Sequence, residues 1–450
     1  MTDSPIYEIT LEKLTYGGEA MGRLPDGRAV FVPFGLPIQS PSIIGAMRRF
    51  FLLLLFAASA ACAQPQVLPP RSGLTADELG LIVNDDDPLS RRIGEYYRQA
   101  RRIPAANVIR VRFAPGRAAL AREEFERLRE EILRATPAHV QAWAVAWAAP
   151  YRAGCMSLTS ALAFGFDERF CSQQCGATAP SPYFNSPSLY PWTELKLRPA
   201  MLLAAESFEQ AKALIDRGVA SDGRFPAGRA YLLQTPDKAR SVRAATFEQT
   251  ARELAGVFPI EVLESAGIAG RDDVLFYFTG LPQVAALGTL TFLPGALADH
   301  LTSFGGQLTD SRQMSSLRWL EAGATASYGT VVEPCNHPQK FPLPALAMFF
   351  YAAGATAIEA YWKSVAWPGE GVFIGEPLAR PFAPTLKAVR PGLIELRLHS
   401  PREGALRMSR ADSPLGPYRP LPQAQPIRRG ANRLQLALPE SDRGYFRLQW

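Results

Sequence analysis

The sequence predicts an α/β protein built on a parallel sheet, followed by a small β-sandwich module at the C-terminal end. Between Leu79 and Trp147, apolar strand patterns alternate with amphipathic helix patterns in the order strand, helix, strand, helix, strand. This order is typical of a parallel sheet with right-handed crossovers. The alternation resumes at Met201 and continues to about residue 385. From residue 391 onward, short alternating segments separated by Pro, Gly and Asp indicate antiparallel strands instead.

The first part of the body is defined by two helices with clear polarity. Pro88 suits the first turn of a helix and Asp87 can cap it, which predicts a helix over Ser90–Arg101. In a second helix, apolar side chains recur with helical spacing. The predicted elements are strand Leu79–Val83, helix Ser90–Arg101, strand Asn107–Phe113, helix Arg122–Arg134 and strand Val140–Trp147.

The second part of the body begins with an apolar run, Met201–Ala205. Ser207 and Gln210 then form the signature of a capping box, which predicts a helix to Arg217. Further along, the patterns predict strands at Ala230–Gln234, Val274–Phe278 and Ala324–Val332, and helices at Gln313–Ala322, Pro344–Ala353 and Ala355–Val365. The sequence shows no internal repeat and no low-complexity block.

Composition excludes several classes of protein. The chain has 450 residues, of which 47% are hydrophobic and 20% charged, as in an ordinary globular protein of two or three domains. Its net charge of +6 is mild for this length, and no Lys/Arg run dominates, so charge alone does not predict a nucleic-acid partner. A collagen, a coiled coil and a long disordered tail are excluded.

A secretory signal peptide is predicted at residues 47–63, inside the chain. Arg48 and Arg49 precede an apolar run, and the small residues before Gln64 predict cleavage between Ala63 and Gln64. The run is too short to span a bilayer, which takes about 20 residues. A lipoprotein cleaved before Cys62 and a buried core helix are the alternatives. We therefore expect a secreted or periplasmic protein of a Gram-negative envelope, in contact with a membrane only transiently.

The 46 residues before Met47 have a pattern of their own. Asp26-Gly27 predicts a hairpin before a strand at Ala29–Pro33. The segment resembles the opening of a TRAM domain, the small β-barrel of 23S rRNA uracil methyltransferases, over Tyr16–Arg23, Asp26–Arg28 and Val30–Pro33. The resemblance implies RNA binding, but it stops after Pro37, before the strands that would close a barrel. We expect residues 1–46 to be a truncated TRAM-like fragment joined by a fusion.

Four cysteines follow the predicted cleavage site: Cys155, Cys171, Cys175 and Cys335. An even number of cysteines in an oxidising compartment predicts disulfides, and four allow three connectivities. A Cys155 bond to Cys171 or Cys175 would close a short loop. Zinc would need a second pair of ligands, so we expect disulfides and no metal. No P-loop and no GxGxxG is present, and we expect no cofactor.

Residues of about 75–385 resemble an uncharacterised secreted protein family of bacteria that carry exosortase. The resemblance rests on Asn84–Pro88, Tyr96-Tyr97, Arg102–Pro104, Trp147–Cys155, Gly165–Asp167, Leu301–Gly306, Ala322–Cys335, Glu359–Trp362 and Gly375–Pro377. It implies a secreted protein of unknown biochemical role. Residues 386–450 resemble a fibronectin type III-like appendage, which implies spacing or binding; a plain β-cap on the body is the alternative.

The order of elements also resembles the caspase-like fold of gingipain-type peptidases, so that a caspase/flavodoxin-like three-layer body is expected for residues 64–385. That family places His-Gly after one strand and Cys after the next, where this chain has Thr279-Gly280 and Thr302-Ser303. A divergent cysteine hydrolase would need a thiolate and a base. The candidate catalytic residues are His300, Ser303, Glu333, Cys335 and His337.

Two further acidic residues, Asp299 and Glu376, are expected in loops. The leading hypothesis is a secreted protein that binds or processes a surface polymer or protein. A cysteine hydrolase and RNA binding through the TRAM-like fragment are the alternatives. The substrate, the oligomeric state and the membership of residues 1–46 in the natural protein do not follow from the sequence.

Overall fold

The structure is a computed structural model. It describes the backbone of three strands in the N-terminal region, β1 (Leu11–Leu14), β2 (Glu19–Arg23) and β3 (Ala29–Pro33), and residues 65–172, 174–438 and 444–450. The chain divides into two compact units, residues 1–62 and 63–450. The predicted signal peptide and its cleavage site at Ala63 and Gln64 lie outside the described residues, as do Tyr16–Gly18 and Asp26–Arg28 of the TRAM-like motif.

The N-terminal unit contains an antiparallel sheet in the order β1-β2-β3. Strand β3 has the bounds that the sequence predicts, and Arg23 of β2 lies opposite its first residue, Ala29. The antiparallel pairing of β2 with β3 agrees with the predicted hairpin.

The second unit holds all of the helices that the structure describes. They are α1 (Pro88–Arg101), α2 (Arg122–Ala135), α3 (Leu158–Phe164), α4 (Pro191–Leu195), α5 (Phe208–Ser221), α6 (Phe247–Glu253), α7 (Leu317–Ala322), α8 (Pro344–Ala352) and α9 (Ala357–Trp362). None of the helices within the described residues is both long enough and apolar enough to span a membrane.

The strands of the second unit form a large sheet and three smaller ones. The large sheet contains β5 (Leu79–Asn84), β6 (Val108–Val111), β8 (Ala142–Val145), β11 (Ala200–Leu202), β12 (Arg229–Gln234), β13 (Ile260–Glu264), β14 (Val274–Thr279), β15 (Phe292–His300), β16 (Ala326–Thr330) and β17 (Gly371–Gly375). A small sheet beside it contains β7 (Ala119–Leu120), β9 (Arg152–Ala153) and β10 (Met156–Ser157). The α/β class with a mostly parallel sheet is therefore confirmed.

The large sheet consists of two parallel halves joined at its centre. Its order is β13-β12-β14-β15-β16-β17-β11-β8-β5-β6, and the β16–β17 pair is antiparallel, whereas the other neighbours are parallel. Numbered along the chain, the first four strands of each half have the spatial order 2-1-3-4. The halves thus repeat one topology in opposite directions, although the sequence shows no repeat.

Both faces of the sheet are covered, as the apolar strands predict. In β5, Leu81 and Val83 belong to one apolar cluster and Ile82 to another, because successive side chains point to opposite faces. Helices α1 and α5 bury Ile93 and Ile215 in the first cluster, and α2 buries Phe125 in the second. The Asp87 cap is confirmed, since its carboxylate accepts the Leu89 N–H at 2.9 Å.

The C-terminal β-module consists of two sheets that enclose a separate apolar cluster, which includes Leu396, Leu398 and Leu448. One sheet has the order β18-β19-β22 and the other β21-β20-β23-β4. The strands are β4 (Gln66–Leu68), β18 (Thr385–Arg390), β19 (Leu393–Ser400), β20 (Gly404–Ala411), β21 (Arg419–Ile427), β22 (Gly430–Ala437) and β23 (Tyr445–Gln449). Strand β4 comes from the opposite end of the unit and pairs in parallel with β23.

Candidate functional site

The carboxyl ends of β12, β14 and β15 meet at the edge where the sequence places a hydrolase site. The structure fills this edge with mutually bonded polar groups. Thr235 donates to the carbonyl of Gly280 at 2.7 Å, and Arg240 donates to the Thr302 hydroxyl at 3.2 Å. A methyl group on Gly280 would lie 1.9 Å from the Arg240 carbonyl oxygen, so the backbone approaches very closely here. The edge therefore offers little room for a substrate.

His300 is the last residue of β15 and is fully buried. The Trp319 indole donates to its Nδ1 at 2.8 Å, and its Nε2 lies 3.1 Å from the Met314 carbonyl. These partners fix a neutral ring that accepts at Nδ1 and donates at Nε2. Burial lowers the pKa of His300 to about 3, against the effect of the Met314 bond. A ring held in this way has neither a free nitrogen nor access to a substrate.

The other candidate residues divide between two loops. Glu333, Cys335 and His337 share the loop after β16, where the Glu333 carboxylate accepts the Cys335 N–H at 2.8 Å and His337 donates to the Cys175 carbonyl at 2.7 Å. The carbonyl of Ser303 accepts from the Thr330 hydroxyl at 3.0 Å. His300 instead contacts Trp319 and Met314, so the structure does not pair it with Cys335.

All four cysteines after the predicted cleavage site form disulfides. Cys155 pairs with Cys171, and Cys175 pairs with Cys335, with Cα–Cα distances of 5.7 and 5.5 Å. The predicted disulfides are thus present, and Cys155 takes the nearer of its two alternatives. In this state Cys335 has no thiol to act as a nucleophile.

A buried network holds the cysteine loops in place. The Lys340 ammonium lies 2.8 Å from the Glu370 carboxylate, with both side chains about 1% exposed, and it also contacts the Ser172 hydroxyl. The other oxygen of Glu370 accepts the Ser172 N–H at 2.7 Å. Because Ser172 follows Cys171 directly, this network and the disulfides fix the same segment.

The two further acidic residues are buried, and Asp299 lies in a strand, contrary to the expectation of loops. Asp299 lies in β15, 2.7 Å from the Arg243 guanidinium. Burial raises its pKa to about 6, and Arg243 limits the rise. Glu376 follows β17 and accepts from the Tyr97 hydroxyl at 2.5 Å, beside Arg101. Both carboxylates are tied to an arginine inside the protein, which is the arrangement of structural ion pairs.

A spacious cleft lies elsewhere, between the α/β body and the β-module. We call it the seam cleft; its volume is about 960 Å³. Its walls are Leu68–Ser72, parts of the loop 185–190, the end of α8 with Lys363, and residues 400–402 and 447–450. This volume is near the upper end of the range of about 300–1,000 Å³ for small-molecule sites.

The charged side chains that line the seam cleft all have the same sign. Four cationic side chains line it, Arg71, Lys363, Arg402 and Arg447, and no Asp or Glu side chain does. Arg71 is paired with Glu78 at 2.8 Å, outside the cleft. Among the described residues, the other three have no carboxylate within 4.0 Å. The cleft is therefore suited to an anion.

Lys363 lies at the floor of the cleft, directly after α9, and is only 1% exposed. Its ammonium donates to the Ser188 carbonyl at 2.8 Å and lies 5.0 and 4.9 Å from the ring centres of Tyr183 and Phe350. Burial lowers the pKa of Lys363, while the negative charges of Glu359 and Glu194 act against this. A buried lysine without an ion-pair partner is uncommon.

Apolar and aromatic side chains complete the walls. Phe349 and Phe350 of α8, Leu68 and Trp450 line the cleft together with several prolines. Sequence reasoning missed this site because its walls come from segments that are far apart in the chain. The one local signal was Lys363, a single cation in the otherwise apolar stretch after Glu359.

Within residues 65–172, 174–438 and 444–450, no group of three or more His, Cys, Asp or Glu side chains could hold a metal ion.

Comparisons with known proteins give little further information. No protein-family model matches the chain, and no curated protein matches it. A solved structure named "Structure of Protease" is similar with a TM-score of 0.37 and 9% identity, over 81% of this chain and 98% of that chain. A likeness of this strength identifies neither a shared fold nor a shared activity.

Proposed function

We propose that this protein is a binding protein that holds an acidic segment of another protein in the seam cleft. The observation that carries the proposal is the single sign of the side-chain charges there: four cationic side chains and no Asp or Glu side chain line the cleft. Cations on both the body and the β-module would attract the same ligand, and their field would speed its approach. The apolar walls would bury the uncharged parts of that ligand.

The donor and acceptor chemistry of the cleft favours a peptide over a polysaccharide. Lys and Arg side chains only donate hydrogen bonds. Asn185 and Gln449 could accept hydrogen bonds from sugar hydroxyls, but the cationic side chains would be left without an anionic partner by a neutral sugar. Carboxylates of an acidic peptide need donors, and its apolar side chains match Phe349, Phe350 and Leu68. We therefore commit to an acidic peptide segment.

The disulfides support a role outside the cytoplasm, because such bonds persist in oxidising compartments. We keep the signal peptide at residues 47–63, secretion or a periplasmic location, and membership of the exosortase-associated family as parts of the proposal. A caspase/flavodoxin-like ancestry of the body is supported by the strand order 2-1-3-4 in each half of the sheet. Because Cys335 is in a disulfide and His300 is buried, we favour binding over hydrolysis as the role of the α/β body.

Binding of a labelled peptide of ten glutamates, compared with ten glutamines, tests the proposal. The wild-type protein should bind the acidic peptide at least tenfold more tightly at low salt, and the affinity should fall as salt rises. The double variant R402Q/R447Q should bind the acidic peptide about tenfold more weakly than the wild type. R419Q, at an exposed arginine of β21 outside the cleft, should bind it almost as tightly as the wild type. Equal binding of both peptides, or tighter salt-dependent binding of RNA than of the acidic peptide, would contradict it.

A further inference from the structure

Lys363 differs from the other cations of the seam cleft in its depth. Its side chain is 1% exposed, whereas Arg402 is exposed and Arg447 is partly exposed. Withdrawing an ammonium group from water is unfavourable unless an anion or several acceptors replace the water. The structure supplies one acceptor, the Ser188 carbonyl at 2.8 Å, and two aromatic rings.

The ammonium group carries three donors. One of them is used by Ser188, and among the described residues no carboxylate lies within 4.0 Å. Because Lys363 lines the cleft despite its burial, a ligand group that reaches the floor would meet these donors. Glu359 and Glu194 act on Lys363 only through their charge, so an anionic ligand group at the floor would find donors that the protein leaves unused.

A carboxylate could reach the floor on an acidic side chain or at the end of a chain. The end needs only one residue to enter, because its backbone does not continue past the floor. Every unmodified peptide ends in a carboxylate, and its last side chain would pack on Phe350, whose ring lies 4.9 Å from the Lys363 ammonium.

We infer that the seam cleft binds the free C-terminal carboxylate of its peptide ligand at Lys363, while Arg402 and Arg447 at the rim attract acidic residues that precede it. The inference rests on the proposed function and narrows it: the partner is recognised by its chain end. Charged hydrogen bonds to a desolvated carboxylate are among the stronger polar contacts in proteins.

Two peptides of one sequence test this inference, three glutamates followed by Ala-Leu-Phe, one with a free terminal carboxylate and the other with a terminal amide. The wild-type protein should prefer the free acid by at least tenfold. Lys363→Met should remove that preference, and Lys363→Arg should keep part of it. The double variant R402Q/R447Q should weaken the binding of both peptides by a similar factor and leave the preference for the free acid unchanged.

The outcomes separate this inference from the proposed function. If the wild-type protein binds acid and amide equally and with salt dependence, the inference is overturned and the proposed function stands. If it binds neither peptide, both are overturned. A preference that survives in Lys363→Met, with thermal unfolding showing a folded variant, would place the carboxylate on another residue and overturn the assignment.

Discussion

The surroundings of a titratable side chain in this protein decide whether it can take part in chemistry. His300 is one of the predicted catalytic residues, but Trp319 and Met314 occupy both of its ring nitrogens. Lys363 is not among the predicted site residues, yet it is a buried cation that lines the seam cleft and has no carboxylate within 4.0 Å among the described residues. A residue's identity suggests a role, and its partners and burial permit or exclude it.

The buried His300 predicts a specific pH dependence of stability. In the unfolded chain the His300 ring takes up a proton near its ordinary pKa of 6.5. In the folded protein it stays neutral until the pH falls to about 3. The unfolded state therefore binds more protons in this range, so the stabilisation is full above pH 6.5 and is lost as the pH falls. In His300→Asn, the slope of unfolding free energy between pH 6 and 5 should fall by up to about 1.4 kcal/mol per pH unit.

Urea unfolding at several pH values measures this slope. His139→Asn, at an exposed histidine, is the matched control and should keep the wild-type slope. His399 and Asp299, whose pKa values are also shifted, are present in every variant. An unchanged slope in His300→Asn would show that the ring is not held neutral in the folded protein.

We expect Lys363 to lower the free energy of unfolding of the protein. Replacing it with methionine keeps much of the volume, removes a buried charge and loses the bond to Ser188. Because the charge has no ion-pair partner among the described residues, Lys363→Met should raise the free energy of unfolding by about 1 kcal/mol or more. Lys387→Met, at an exposed lysine, should change it by less than about 0.5 kcal/mol. A destabilised Lys363→Met protein would show that the lysine is a structural residue.

At the scale of single elements, the sequence predicted helices and strands well where residues close together in the chain determine the structure. The capping box at Ser207 and Gln210 is present, and the helix it begins runs to Ser221. The predicted helix at Gln313 begins only at Leu317, because the Ser311 and Ser315 hydroxyls bond to backbone carbonyls and hold the chain in turns. Strand β21 escaped prediction because its prolines are unusual in a strand, although an edge position tolerates them.

The capping box gives a prediction at this scale. The Ser207 hydroxyl accepts the Gln210 N–H at 3.2 Å, and the Gln210 side chain accepts the Ser207 N–H at 3.2 Å. Ser207→Ala should lower the free energy of unfolding by about 1 kcal/mol, because it leaves an N–H at the start of α5 without a partner. Ser207→Asp, which can still accept that bond, should restore most of the loss in denaturant unfolding. An equal loss in both variants would contradict the role of the cap.

The two disulfides should contribute unequally. They join residues separated by 16 and 160 positions, and the chain-entropy model gives about 3 and about 5 kcal/mol for loops of these lengths. Unfolding of C155S/C171S and C175S/C335S under non-reducing conditions should show the larger loss in the second variant. Thiol labelling of the native wild-type protein should leave Cys335 unmodified, and labelling of Cys335 would refute the pairing.

On the scale of the whole molecule, the sequence predicted the class of fold but not its long-range arrangement. Period and turn signals act over a few residues, so they identified strands such as β5 and β14 almost to their ends. The antiparallel joint between β16 and β17 and the return of β4 to the β-module are contacts between distant residues. The repeated strand order is equally invisible in the sequence, because parallel strands need only be apolar. The seam cleft belongs to this group, since it exists only where distant segments meet.

Strand β4 should control both the β-module and the cleft. Val67 lies opposite Phe446 of β23 and packs against the apolar cluster of the module, and the next residues, Leu68–Ser72, line the cleft. A charge at this half-buried position should detach β4, because the carboxylate would lose water without gaining a partner. In Val67→Asp, we expect faster hydrogen exchange in β23 and at least fivefold weaker binding of the acidic peptide.

Gln66→Asp introduces the same charge at the exposed neighbouring position and should leave the hydrogen exchange of β23 close to that of the wild type. Because the ligand is anionic, an added charge near the cleft could by itself weaken binding, and the difference in affinity between the two variants isolates the effect of strand detachment. Equal exchange rates and equal affinities in both would mean that β4 does not hold the cleft together. A larger loss of affinity in Val67→Asp than in Gln66→Asp would show that the binding site depends on the pairing of β4 with β23.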